Sequence, residues 1–206
     1  RVCMNVTGVI LAGGKSRRMG EDKRFLQVGE ATLLDRTVSV MSRLFPEVLI
    51  IIAQDSAPLA VAGCTVYRDL VADCGSLGGL YTGLAQARNE RIFVAACDMP
   101  FLNPEMIRWF VARDCSADVV MAQLPDGLQP LHAVYGKRAV PVFERMAASH
   151  ELKIRNIASD PSLRVTVVSP AEWGERDPLA QSFRNVNTPA DLEAARAALR
   201  NQVQTQ

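Results

Sequence analysis

The chain has 206 residues, of which 49% are hydrophobic, and a chain of this length and composition can bury one complete core. Its 23 basic and 22 acidic residues leave a formal charge of +1, which excludes the strong basic excess of a general nucleic-acid binder. No run of about 18 apolar residues occurs, so we expect no membrane-spanning helix.

Apolar strand-like runs alternate with helix-like stretches along the chain. In chain order, the pattern predicts a strand at 6–11, an extended segment at 25–28, a helix at 32–45, strands at 48–53 and 66–67, a helix at 77–88, a strand at 92–97, a helix opened by Asn103 and Pro104, strands at 117–122 and 131–135, a helix at 140–148, a strand at 164–168 and a helix opened by Thr188 that runs to about 199. This alternation predicts a three-layer α/β/α fold with a mostly parallel central sheet. Ligands of such sheets bind beyond the carboxyl ends of the strands.

The most informative segment is Val9-Ile-Leu-Ala-Gly-Gly-Lys-Ser-Arg-Arg-Met-Gly20. An apolar strand ends there at Gly13 and Gly14, and paired glycines let backbone amides approach a phosphate closely. Cations follow at Lys15, Arg17, Arg18 and Lys23. A glycine turn with a solvated basic loop is the alternative, but the strand, glycines and cations together favour a phosphate-binding loop. The segment matches neither G-x-x-x-x-G-K-[ST] nor G-x-G-x-x-G.

Asp98 is the single residue that the sequence most strongly indicates as part of a functional site. It follows the apolar run 92–97, and Met99-Pro100 turns the chain directly after it. A carboxylate at a buried strand end needs a partner, because an unpaired buried charge is costly. A capping amide or an arginine is one option. We favour Mg²⁺, which takes one or two carboxylates together with water and substrate phosphates.

The cysteines and the termini give three further expectations. Five cysteines without a C-x-x-C spacing predict reduced thiols in a cytoplasmic protein and no structural zinc site. Residues 1–5 are too short and too polar for a signal peptide. We expect one domain over residues 1–206, with 1–5 and 201–206 frayed.

Four segments together resemble the signatures of one enzyme family. They are the opening motif with Lys23, Cys97-Asp-Met-Pro100, Gln129-Pro-Leu-His132 and Asn185-Val-Asn-Thr-Pro189, and they follow the family's order over nearly the whole chain. The opening motif resembles that of nucleotidyltransferases that activate a phosphorylated small molecule with a nucleoside triphosphate. Leu-Ala-Gly-Gly and Asn-Val-Asn-Thr-Pro are similar to the corresponding segments of the molybdenum cofactor guanylyltransferases, which join GMP to molybdopterin.

This resemblance implies a Rossmann-like nucleotidyltransferase fold and a Mg²⁺-dependent transfer of GMP from GTP to the terminal phosphate of molybdopterin, with Mn²⁺ as a substitute metal. Pyrophosphate would leave, and the ionised acceptor phosphate would need no general base. Molybdoenzymes or their chaperones are further implied partners, whereas nucleic acid and membranes are not. A molybdopterin cytidylyltransferase or another small-molecule nucleotidyltransferase stays open, as does a nucleotide-binding regulator without turnover.

The resemblance also implies roles for individual residues. The catalytic residues would be Arg18, Lys23 and Asp98, and Asp98 would bind the metal. The nucleotide would contact Leu11, Ala12, Gly13, Gly14, Arg17, Lys23, Asp69, Gly79 and Asp98. The acceptor would contact Gln129, Pro130, His132, Asn185 and Asn187. A purely structural role stays open for His132, for Asp69 and for the two asparagines.

Two positions depart from the family's pattern. Ala53 stands nearest the place of an asparagine that helps to read guanine, and Gln54 could substitute for it. Ser76 replaces the proline of a Gly-Pro-Leu-x-Gly turn, which we expect to bring the backbone close to the nucleotide. Gly13 leaves room that an alanine methyl group would fill, so we expect a purine to pack against it.

Overall fold

A computed structural model describes residues 5–13 and 22–203. The strands are β1 (Val6–Leu11), β2 (Gln27–Val28), β3 (Ala31–Thr32), β4 (Val48–Ile52), β5 (Thr65–Arg68), β6 (Arg91–Ala96), β7 (Val119–Leu124), β8 (Gly127–Gly136) and β9 (Val165–Val168). The α-helices are α1 (Leu33–Leu44), α2 (Gly75–Gln86), α3 (Pro104–Arg113), α4 (Val140–Ala148), α5 (Pro170–Trp173) and α6 (Pro189–Val203). Short 3-10 helices occur at Lys23–Phe25, Lys137–Ala139, Ile154–Ser159 and Gln181–Phe183.

Seven of the strands form one sheet in the order β5-β4-β1-β6-β8-β7-β9. β8 runs antiparallel to its neighbours β6 and β7, and the other pairings are parallel. The predicted mostly parallel α/β fold is therefore confirmed. Because β1, β4 and β6 are adjacent and parallel, their carboxyl ends lie side by side at one edge of the sheet.

Helices cover both faces of this sheet. On one face, Leu34 of α1 and Phe110 of α3 belong to the same buried cluster as Ile10 of β1. On the other face, Leu80 of α2 and Phe143 of α4 cluster with alternate residues of the same strands. All six residues of β1 are buried, as expected for a central parallel strand with helices on both sides.

Helices α1, α3 and α6 begin at side-chain caps, of which those at Asn103 and Thr188 were predicted from the sequence. Thr32 Oγ1 accepts the backbone N–H of Asp35 at 3.1 Å, and the Asp35 carboxylate accepts the N–H of Thr32 at 3.4 Å. Asn103 Oδ1 accepts a backbone N–H of α3 at 2.9 Å. Thr188 and Asp191 exchange the same pair of bonds, at 3.1 and 2.8 Å. These caps satisfy amides that a helix start leaves unpaired.

The segment after the first loop differs from its prediction. A single extended stretch was expected at 25–28, but a 3-10 turn is followed there by the small hairpin β2–β3. Gly29 turns this hairpin with a positive φ of 72°. Leu26 and Val28 pack with Leu192 of α6 in a separate buried cluster. α6 itself continues through 201–203, where we expected fraying, and residues 1–4 and 204–206 lie outside the described residues.

The expected turn over Gly75–Gly79 is instead the start of α2. A Cβ atom on Gly78 would lie 2.6 Å from Asp69 Oδ2, and one on Gly83 would lie 2.5 Å from Val9 Cγ1. These glycines therefore allow the helix to pack closely on Val9 of β1 and on Asp69 after β5. The expected approach of this backbone to a nucleotide stays a prediction.

The cysteines only partly follow expectation. Cys64, Cys74 and Cys97 are free, but Cys115 is disulfide-bonded, so the prediction that all five thiols are reduced is wrong. The absence of a C-x-x-C spacing could not exclude a bond between cysteines far apart in sequence. In the described part of the chain, no helix combines the length and the apolar character needed to cross a membrane.

His132 lies in the core, on the strand next to β6. Its ring is fully buried within 4.8 to 5.1 Å of the ring centroids of Phe93, Phe110 and Phe183. Neither ring nitrogen has a hydrogen-bond partner among the described residues, and the backbone φ is 98°. Burial lowers the pKa of His132 to about 4, although the charge of Asp177 acts in the opposite direction. The fold thus holds this imidazole in its neutral form.

We expect this histidine to make stability fall in mild acid. The unfolded chain gains a proton at His132 below its ordinary pKa of 6.5, whereas the folded chain does so only near 4. Between these values the free energy of unfolding should fall by about 1.4 kcal/mol per pH unit. Urea unfolding from pH 7 to 4 measures this slope. His132→Phe should flatten it, and His150→Asn on the exposed surface should not. If the unfolding free energy of His132→Phe depended on pH as steeply as that of the parent, His132 would not be the cause of the loss of stability in acid.

Candidate functional site

The carboxyl edge of the central strands carries two adjoining cavities. One, of about 250 Å³, lies over the ends of β1 and β6. The other, of about 500 Å³, lies between the end of β4, the segment after β5 and the start of α2. Leu11, Gly13 and Ser76 line both cavities, so they form one continuous cleft. Cys97 donates its backbone N–H to Leu11 O at 3.0 Å, which holds the two strand ends together.

The smaller cavity brings together the residues predicted for catalysis and for the acceptor. Lys23 Nζ lies 3.6 Å from Asp98 Oδ2 and donates a hydrogen bond of 2.9 Å to Asn187 Oδ1. Asn185 lines the same cavity. Lys23 and Asn187 are 164 positions apart in sequence, so only the fold creates this contact.

Two buried oxygen atoms in this cavity lack partners among the described residues: Asp98 Oδ1 and Asn185 Oδ1. Buried acceptors of this kind normally have a donor or a cation nearby. A hard divalent cation prefers carboxylate and amide oxygens, so the donor set fits Mg²⁺. The described residues contain no group of three or more His, Cys, Asp or Glu side chains that could hold a metal, so substrate phosphates and water would complete the coordination.

Burial controls the electrostatics of this cavity. It raises the pKa of the Asp98 carboxyl, while the nearby Lys23 ammonium acts in the opposite direction. Burial also raises the pKa of the Cys97 thiol to about 12, and the charge of Asp98 adds to that shift. Cys97 is therefore a neutral filler, as its apolar surroundings predict. The charge of the site rests on Asp98 and its cationic neighbours.

Lys23 is positioned by its neighbours in sequence. Asp22 caps the 3-10 helix Lys23–Phe25 by accepting the backbone N–H of Arg24 at 3.1 Å. The same carboxylate forms a salt bridge with the buried Arg24 guanidinium, at 2.5 Å. The charge of Arg24 is thus neutralised. The hydrogen bond from the Arg24 side chain is the main cause that lowers the pKa of Asp22. The ammonium of Lys23 is left to reach across the cleft.

The segment 185–187 is tied directly to the strand end that carries Asp98. Val186 is buried and donates its backbone N–H to Asp98 O at 2.8 Å. The Asp191 carboxylate accepts the backbone N–H of Asn187 at 2.9 Å. Because Val186 is anchored in this way, Asn185 and Asn187 on either side of it lie at the cleft.

The larger cavity contains the predicted nucleotide contacts Asp69 and Gly79. The Asp69 carboxylate accepts bonds from Val71 N and Thr82 Oγ1, at 3.0 and 3.1 Å. Burial raises the pKa of Asp69, and these hydrogen bonds lower it. Gln54 Nε2 donates to Asp69 O at 2.9 Å, so the residue considered as a substitute reader of guanine lies at the same cavity.

Gly13 lines the cleft, and its lack of a side chain has a reason within the fold itself. A Cβ atom there would lie 3.0 Å from the backbone nitrogen of Ala53, at the end of β4. The missing methyl group therefore makes room for the protein's own backbone, a reason that the sequence did not indicate; packing of a purine against Gly13 stays a prediction. Gly79 differs, because its Cβ would meet the side chain of Leu11 at 3.3 Å.

Not all predicted site residues meet at the cleft. His132 is in the core, as described above, and the cavity is lined by Leu131 instead. Gln129 and Pro130 are half-buried on β8 and do not line either cavity. The predicted contacts Gly14, Arg17 and Arg18 lie outside the described residues.

Sequence reasoning missed the residues that support the site. Thr37 Oγ1 lies 3.4 Å from Cys97 O, and Arg36 Nε donates to Pro100 O at 3.3 Å, so α1 supports the chain on both sides of Asp98. The pairing of Asp22 with Arg24 was missed as well. The sequence did carry a signal for this pair, because Asp22 and Arg24 are opposite charges two positions apart on either side of Lys23.

Comparisons with known proteins agree on one family. The family model described as "MobA-like NTP transferase domain" matches residues 8–172. A "Probable molybdenum cofactor guanylyltransferase" of Pelotomaculum thermopropionicum is 37% identical over 96% of this chain and 95% of its own length. A "Molybdenum cofactor guanylyltransferase" of Desulfosudis oleivorans is 35% identical over 95% of this chain and 96% of its own.

Solved structures share the fold. The molybdopterin-guanine dinucleotide biosynthesis protein A of Archaeoglobus fulgidus superposes with a TM-score of 0.76 at 23% identity, over 95% of this chain and 100% of its own. A 2-C-methyl-D-erythritol 4-phosphate cytidylyltransferase of Thermus thermophilus gives 0.67 at 16% identity, over 93% and 98%. A Mycobacterium tuberculosis protein in complex with manganese gives 0.61 at 19% identity, over 80% and 88%.

We expect Gly13→Ala to destabilise the fold, because the added methyl group meets the backbone at the end of β4. Overpacking of this kind typically costs about 1–3 kcal/mol. Gly79→Ala is the matched comparison, since its methyl group would meet the movable Leu11 side chain and should cost less. Thermal unfolding of both variants measures the difference. A Gly13→Ala protein as stable as the parent would contradict this interpretation.

Proposed function

Because the chain belongs to the MobA-like NTP transferase family, we propose that it transfers GMP from GTP to the terminal phosphate of molybdopterin and releases pyrophosphate. The observation that carries the proposal is the cluster of Lys23, Asp98 and Asn187 at the carboxyl edge of the sheet. It combines a cation, a buried carboxylate and an amide at a single point of the cleft.

The two cavities suggest how the substrates share the cleft. The larger one, beside Asp69 and the start of α2, has the size to take the nucleoside, and Gln54 and Asp69 supply polar groups in a largely apolar lining. The smaller one, at Asp98, would then receive the phosphates and the acceptor. Their junction at Gly13 is where the α-phosphate would lie, between the nucleoside and the groups in the smaller cavity.

The chain's own groups would stabilise the charge that develops during transfer. The Lys23 ammonium can neutralise phosphate oxygens as a point charge, and preorganised charges of this kind usually contribute more to the rate of such reactions than any other effect. Arg17 and Arg18 remain proposed partners of the triphosphate, together with the Gly14 amide. The acceptor phosphate is ionised at neutral pH, so no side chain must remove a proton from it.

Mg²⁺ is the metal that we propose, held by Asp98 and Asn185, whose buried oxygens lack partners among the described residues. When bound, this ion would neutralise phosphate charge. Mn²⁺ could replace it, in keeping with the manganese complex of a protein of the same fold. Asn187 would then hold the acceptor. Gln129 and Pro130 lie on β8 outside both cavities, so they would contribute to acceptor binding only indirectly.

Molybdoenzymes or their chaperones are the further partners that we propose, as recipients of the product. We place the reaction in the cytoplasm. The free thiols of Cys64, Cys74 and Cys97 support that compartment, whereas the disulfide at Cys115 weighs against it.

Asp98→Asn should abolish turnover without loss of fold. The amide keeps the shape of the side chain but removes the negative charge that a metal needs, and losses of about 10²-fold or more are typical when one charge-stabilising group is removed. Burial raises the pKa of Asp98, so the ionised form costs stability, and the variant should melt at the same temperature as the parent or higher. Pyrophosphate release with GTP and molybdopterin measures turnover. Asp126→Asn, an exposed carboxylate, is the matched control. Turnover by Asp98→Asn close to that of the parent would overturn the metal assignment.

GTP with Mg²⁺ should raise the melting temperature more than CTP, ATP or UTP at equal concentration. A site that pairs the polar groups of one base leaves groups unpaired with another, and ligand at 100 times its Kd stabilises by about 2.7 kcal/mol. Gln54→Ala should reduce the difference between the melting-temperature increases caused by GTP and by CTP, because Gln54 lies at the proposed nucleoside cavity. Equal or greater stabilisation by CTP, repeated in turnover, would favour a cytidylyltransferase of the same fold.

A further inference from the structure

The Lys23 ammonium lies where a divalent metal would need to bind. It is 3.6 Å from Asp98 Oδ2 and 2.9 Å from Asn187 Oδ1. Asn185, whose buried Oδ1 has no partner among the described residues, lines the same small cavity. The Asp98 carboxylate and an amide oxygen are also ligands that a hard cation would take here. The lysine and the metal therefore compete for the Asp98 carboxylate.

We propose that Lys23 is a stand-in cation, which occupies the metal site of the nucleotide-free protein and leaves it when a metal–nucleotide complex arrives. The proposal rests on the proposed function only for the divalent metal. It does not depend on which base or which acceptor the protein uses.

Burial makes such a counter-ion necessary. The Asp98 side chain is only 16% exposed, and a buried carboxylate without a positive partner destabilises the fold. The neighbouring Arg24 cannot replace Lys23, because its guanidinium is held by Asp22. Among the described residues, Lys23 makes the ion pair with Asp98.

The same contact should weaken the binding of free metal. A divalent ion at Asp98 would lie within a few ångströms of the ammonium, and like charges at that distance repel strongly in a partly buried site. The triphosphate changes this balance, since it supplies anionic ligands to the metal and a new anionic partner to Lys23. The long lysine stem allows the ammonium to move while its backbone stays in the 3-10 helix.

The consequence is a coupling between the two ligands. Free metal is disfavoured, nucleotide makes metal binding favourable, and metal must improve nucleotide binding by the same factor. Lys23 thus pairs with Asp98 before binding and with phosphate after it. The protein would avoid holding a metal ion at a site with no substrate.

Mn²⁺ titration of the nucleotide-free protein, followed by the electron paramagnetic resonance of free Mn²⁺, tests this directly. Lys23→Met keeps the apolar stem and removes the charge, and it should bind Mn²⁺ at least about tenfold more tightly than the parent, a change of about 1.4 kcal/mol. Lys23→Arg should bind as weakly as the parent. Lys153→Ala, which removes an exposed lysine elsewhere, should also leave Mn²⁺ affinity unchanged.

A double variant shows whether the additional Mn²⁺ affinity of Lys23→Met depends on Asp98. Adding Asp98→Asn to Lys23→Met should abolish the tighter Mn²⁺ binding. Mn²⁺ affinity of Lys23→Met equal to or weaker than that of the parent, in a protein whose circular dichroism is unchanged, would overturn the proposal. So would tight binding that survives Asp98→Asn. No GTP or molybdopterin is present in this titration, so failure of the proposed reaction would leave its outcome unaffected.

Discussion

The buried carboxylate of Asp98 is the constraint on which the rest of the site depends. Removing a charged group from water is costly, so the carboxylate needs a positive partner and a fixed position. The Lys23 ammonium provides the positive charge, and the backbone of Val186 holds the strand end in place. α1 supports the adjoining carbonyl of Cys97. The site is therefore most stable when a cation is present, which is the condition that nucleotidyl transfer requires.

Close packing of α2 on the sheet is the second requirement of the cleft. Gly78 and Gly83 leave no side chain between this helix and the sheet, and Asp69 and Val9 lie where their Cβ atoms would be. The helix start consequently lies beside the carboxyl ends of β1 and β4. The larger cavity owes its position to this contact. Gly78, which we expected in a turn, lies here within the first turn of the helix and lets it approach Asp69.

The segment Gln129-Pro-Leu-His132 illustrates how a motif can be recognised while its side chains are misassigned. Successive side chains of a strand point to opposite faces, so neighbours in sequence cannot all line one cavity. Leu131 lies at the cleft, whereas His132 points into the aromatic cluster of the core. Burial lowers the pKa of that histidine to about 4, which makes it a neutral packing group. The family resemblance was confirmed, but the role of one residue within the motif was not.

The sequence by itself determined the family, the alternating α/β fold and the pairing of Thr188 with Asp191, because each depends on contiguous residues whose spacing carries the information. It also identified Asp98, since a carboxylate directly after a buried strand is conspicuous. The tertiary structure alone decided that Lys23 meets Asn187, that Gly13 faces the backbone of Ala53, and that β8 runs antiparallel. These facts depend on how distant segments are brought together by packing, and neither the period of a strand nor the order of motifs specifies the distance between side chains 164 positions apart.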